Sequence, residues 1–102
     1  MIHYSLERQL FDRCHSGNLN TLRNAEDRWR GLDIRPVILL SERFDMGLPR
    51  MQVNVRLMDH KNNSVFFERD FTMYPGIHHG DVFCVTVATW LNKQFNDYRT
   101  WH

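Results

Sequence analysis

Two alternating runs on either side of Lys61-Asn62-Asn63 restrict this chain more than any other feature, because together they select one strand register. In the first run Met51, Val53, Val55 and Leu57 share a side, and in the second Val65, Phe67, Phe71 and Met73 do the same. A three-residue turn with Asn63 in the left-handed conformation pairs His60 with Ser64, Leu57 with Phe67 and Val53 with Phe71. The same register sets Arg56 against Glu68, Asn54 against Asp70 and Gln52 against Thr72, which makes the other face polar. Slipping by one residue would exchange the two faces, so the pattern predicts an antiparallel hairpin.

The flanking segments supply the rest of a small α+β domain. Ser5 is placed to cap a helix carrying Leu6, Leu10, Phe11 and Cys14, with Gly17 as its end. Asn18 or Asn20 then caps a second helix that directs Leu19, Leu22 and Trp29 inward and stops at Gly31. Residues 34–43 contain apolar side chains of both parities, as expected for a strand buried on two sides, and Pro36 argues for an unpaired edge near its start. An unusually apolar loop with Phe44, Met46, Gly47, Leu48 and Pro49 leads into the hairpin.

Residues 82–91 can be read as strand or helix, since Val82, Val85, Thr86, Val87 and Thr89 are poor helix formers. The helix is preferred because Cys84, Ala88, Leu91, Phe95 and Tyr98 form one stripe over four turns, with Asp81 as cap and an end near Arg99. The expected fold is a single compact α+β domain over residues 1–102, in the order α(α)βββα: a three-stranded antiparallel sheet packed on one face by helices.

Composition excludes several classes. With 42% apolar residues the chain is too hydrophobic for disorder, and its 25% charged residues favour solubility. The longest apolar runs, 37–40 and 82–85, are too short for a membrane span, and no secretory pattern opens the chain, so a cytoplasmic protein without a membrane partner is expected. Thirteen basic and twelve acidic residues are interleaved, which gives a formal charge of +1 and no long-range attraction for phosphate backbones. Cys14 and Cys84 are the only cysteines, match no CxxC pattern and are expected as buried free thiols on apolar helical faces.

Candidate chemistry is sparse. His78 and His79 lie beside Asp81 between Gly76 and Gly80, but they lack the third and fourth ligands that a zinc site needs, so no metal or cofactor is expected. Cys84 has His79 near in sequence but lacks an orienting third group and is flanked by apolar Val82, Phe83 and Val85, and Cys14 and His15 are one apart on a helix, where side chains do not face each other. Asp59 and Glu68 make no convincing carboxylate pair, and no phosphate loop or nucleophile elbow is present. No enzyme is expected.

Two kinds of binding remain. The surplus of aromatic residues favours a small intracellular protein-binding module, an inhibitor or accessory factor acting by contact, with Trp29, Phe44, Met46, Arg56, Phe66 and Trp101 as contact residues. A second copy of the chain, giving a homo-oligomer, would use the same surplus. The alternative is a nucleic-acid-binding domain using Arg23, Arg28, Arg30 and Arg35. The αβββα order resembles the double-stranded RNA-binding domain, a family that implies basic residues at the start of its last helix. His79-Gly80-Asp81 occupies that place here, so no residue roles are carried over.

Overall fold

The computed structural model describes residues 3–4 and 14–101. Its order is β1 (His3–Tyr4), α1 (Ser16–Arg30), β2 (Ile34–Asp45), β3 (Leu48–Asp59), β4 (Val65–Met73) and α2 (Ile77–Trp101). The three long strands form the expected antiparallel meander, and the two helices pack on one face of it. The short β1 adds a fourth strand beside β2, pairing His3 with Leu39 and Tyr4 with Ile38. Two residues carry too little pattern to announce a strand in sequence. The helix expected from Ser5 lies mostly outside the described residues. Gly17 does not end a helix, because α1 starts at Ser16 and includes it in the first turn.

The register deduced for the hairpin holds over most of its length. Met51 pairs with Met73, Gln52 with Thr72, Val53 with Phe71, Asn54 with Asp70, Arg56 with Glu68 and Leu57 with Phe67. Beyond Leu57 the register shifts, and Met58 pairs with Val65. Phe66 is the additional residue, a bulge that turns the end of β4 and leaves Val65 exposed instead of directing it into the core. The hairpin closes through the Asp59 amide donating to the Ser64 carbonyl at 2.8 Å, so His60 and Ser64 are not partners. Asn63 takes the expected left-handed conformation, with φ at 58°. The Asp59 carboxylate accepts the Lys61 amide at 2.7 Å, which explains why the wider turn is stable.

The apolar segment before the hairpin is not a loop. β2 runs on to Asp45 and β3 begins at Leu48, leaving Met46-Gly47 as a two-residue turn with φ values of 52° and 79°. Positive φ at both positions is the geometry that follows the twist of a hairpin, and glycine supplies the second position without strain. β2 is buried on both faces, as its double parity indicates. Ile34 and Ile38 enter the helix-facing core, whereas Val37 and Leu39 are buried on the side of Arg56 and Asn54.

Residues 82–91 are helical, and Cys84, Ala88, Leu91 and Phe95 are buried on the inner stripe with Val87. α2 starts at Ile77, earlier than the expected cap. Asp81 therefore lies within the helix and serves the neighbouring helix instead. Its carboxylate accepts the His15 backbone amide at 2.7 Å and lies 2.6 Å from His15 Nδ1, at the start of α1. Hydrogen bonding to the Asn18 side chain, then to the His15 backbone and ring, holds the Asp81 carboxyl down at about 2. An acid is well placed there, because the first amides of α1 have no partners within their own helix.

Candidate functional site

Most of the aromatic surplus resolves into core. Trp29 is 0% exposed, and its indole N–H donates to the Leu91 carbonyl at 3.0 Å. Phe95, Tyr98 and Phe67 surround that ring, with centroids 5.4, 5.5 and 6.3 Å away. Phe83 and Trp90 are also buried, each edge-on to Phe71. Trp29 is thus unavailable to a partner, contrary to the reading that made it a contact residue. The side chains of Phe44 and Trp101 lie outside the described residues.

The remaining proposed contact residues do not share one surface. Met46 is 97% exposed at the β2–β3 turn, whereas Phe66, 40% exposed, lies near the other end of β3. About ten residues of strand, roughly 30 Å, separate the two ends. Arg56 lies on the polar face between them, with its Nε donating to Asn54 at 2.8 Å and to Glu68 at 3.0 Å. The cross-strand ion pair legible in the sequence is therefore formed.

The four arginines of the nucleic-acid reading also disperse. Arg28 donates to Asn92 and Asn96 on α2, and its guanidinium lies 4.2 Å from the centre of the Phe95 ring. Arg30 binds Glu26 at 2.6 Å and Asp27 at 2.9 Å, while Arg35 reaches Asn63 in the β3–β4 turn. Arg23 is exposed on α1. Arg28 and Arg35 thus join separate elements and Arg30 is held by acids of its own helix, so the three do not converge on one anion.

What sequence reasoning missed is a groove beside β4. This strand is at one end of the sheet, so one row of its backbone groups has no neighbouring strand among the described residues. Between Arg69 on β4 and the outer face of α2 is a cavity of 380 Å³ lined by Val85, Thr86, Thr89, Trp90, Lys93 and Gln94. Arg69 lies 5.2 Å from the centre of the Phe71 ring and, with Lys93, makes the lining cationic. Thr86 and Thr89 donate their hydroxyl protons to Val82 and Val85 carbonyls one turn back, which leaves those hydroxyls as acceptors. Val82 and Val85 are exposed on α2 beside this groove, whereas Val65 and Phe66 are exposed farther along β4, where Phe66 packs edge-on to Tyr98 near the other end of α2. Two valines on the solvent stripe of an amphipathic helix were the signal that could have located the groove.

Among the described residues no group of three or more His, Cys, Asp or Glu side chains is positioned to hold a metal ion. His78 and His79 are exposed in the first turn of α2, their rings 5.5 Å apart, and Tyr74 packs edge-on to His79. Cys14 and Cys84 are not joined by a disulfide, and their sulfurs lie 2.8 Å apart. Cys14 occupies the bend before α1 and not a helical face, so the two cysteines meet despite a separation of 70 residues. Among the described residues no helix is long and apolar enough to cross a membrane.

Residues 11–102 match the family described as bacteriophage T7-like, gene 1.2, and the chain belongs to that family. No curated protein matches it.

Proposed function

We propose, with membership of this phage family as the premise, that the chain is a small intracellular protein-binding module, an inhibitor or accessory factor that acts by contact without catalysis. The family's bacteriophage origin supports the intracellular part of the reading, since phage genes are expressed inside the infected cell. The observation that carries the contact is the open edge of β4 with its cationic groove and exposed Val65 and Phe66. An extended segment of a partner protein adds to β4 by backbone pairing and directs acidic side chains toward Arg69 and Lys93. Phe66 is the aromatic anchor of this surface, and the polar Glu68 and Asp70 on the other side keep the unbound edge soluble.

Affinity capture from infected-cell lysate, with light scattering over a dilution series and amide exchange on the recovered complex, tests this reading. A partner that protects the amides of residues 65–71 supports it, and Phe66→Ser combined with Arg69→Glu then weakens binding by about 30-fold, as expected for loss of an interface anchor worth about 2 kcal/mol. A strict monomer that retains no protein refutes the module. A retained partner without protection at β4 removes the edge from the proposal, and a dimer protected there assigns the edge to a second copy.

A further inference from the structure

We propose that Cys14 and Cys84 constitute an oxidisable dithiol site, converted to an intramolecular disulfide by exchange with a small-molecule disulfide of the glutathione class. The bond would tie the start of α1 to α2. The sulfurs are 2.8 Å apart, and a disulfide brings them to about 2.05 Å, so bonding requires a movement of less than about 1 Å. These are the only cysteines in the chain, which leaves no competing intrachain connection.

The approach is held by a second set of contacts independent of sulfur. Asp81 stands one turn before Cys84 on α2 and accepts hydrogen bonds from His15, the residue after Cys14. The backbone that carries each thiol is therefore already fixed to the other side, and oxidation need not draw together two mobile segments. Cys84 is buried, whereas Cys14 is partly exposed and is the thiol that a small disulfide reaches first.

The exchange is balanced in two displacements. Cys14 thiolate attacks one sulfur of oxidised glutathione, forming a mixed disulfide and expelling one glutathione thiolate. Cys84, after losing its proton, attacks the Cys14 sulfur and expels the second. Two electrons and two protons pass from the protein thiols to the small disulfide, yielding two molecules of reduced glutathione. Burial pushes both thiols above their ordinary range, so little thiolate is present at neutral pH and the first displacement is slow.

The test uses the unmodified full chain in glutathione buffers of graded oxidised-to-reduced ratio, followed by acid quench, intact mass and non-reducing peptide mapping. The expected product is a monomer about 2 Da lighter, with the Cys14 and Cys84 peptides joined and a urea midpoint that rises and returns on reduction. Cys14→Ser and Cys84→Ala should each prevent the mass loss, but the result with the unmodified chain decides the matter without them. Stable mixed disulfides at Cys14 beside free Cys84, disulfide-linked dimers, or two persistent thiols in the most oxidising buffer overturn the proposal. A joined pair with an unchanged urea midpoint also overturns it, because the bond would not be strengthening the native junction.

Discussion

Replacing Trp29 distinguishes a core tryptophan from an interface anchor more directly than any other substitution. Its ring is fully buried among Phe67, Phe95 and Tyr98, and its N–H donates to Leu91 across the two helices. Trp29→Ala removes that packing and leaves a cavity, at a cost of about 3–5 kcal/mol. A domain of this kind has roughly 5–15 kcal/mol of stability in total, so the loss is a large share of what holds it folded. Trp29→Phe keeps much of the apolar volume but loses the indole donor. The Leu91 carbonyl retains its helical position, so the cost is smaller, about 1–2 kcal/mol from one hydrogen bond and the reduced ring. Urea unfolding followed by far-ultraviolet circular dichroism measures both, with midpoints falling in the order wild type, Phe, Ala. At about 4–8 °C per kcal/mol for a chain of this size, thermal unfolding should separate them clearly. A Trp29→Ala loss below about 1 kcal/mol, typical of a surface position, would refute the core assignment and return Trp29 to the list of possible contacts.

Asp81 gives stability a defined acid dependence. Its carboxyl is held at about 2 against 3.8 when unrestrained, so its stabilising contribution is complete above about 4 and lost as pH falls through 2. Comparing urea midpoints of the wild type and Asp81→Asn from pH 5 to pH 2 should show the difference between them shrinking with acid; a constant difference would refute this linkage. At the β2–β3 turn, Gly47→Val forces a branched side chain into φ 79° and should destabilise by about 1–2 kcal/mol in thermal unfolding, whereas Met46→Asn should be neutral or slightly stabilising. Equal melting temperatures for Gly47→Val and wild type would show that the turn takes another conformation.

The sequence by itself determined the features that rest on local periodicity. The Met51–Met73 register was legible because a one-residue slip would have exposed Val53 and Phe71 and buried Arg56 and Glu68. The last helix was legible despite its β-branched residues, since only a helix brings Cys84, Leu91 and Phe95 onto one side. Small backbone features were less visible. Met46-Gly47 lacks the Asn or Asp that usually marks such a turn, and nothing local foretold that Phe66 would become a bulge and end the register early. Tertiary structure alone decided which aromatics are used up in packing and which side chains meet. Amphipathic pattern places Trp29 on a helix face, but only the crossing of α1 with α2 encloses it between Leu91 and Phe95. The same crossing brings Asp81 to His15 and Cys84 to Cys14, and the end position of β4 opens the groove between Arg69 and Lys93. Periodicity specifies the face a side chain takes on its own element; what stands opposite that face depends on how the elements are arranged in space, which no local pattern encodes.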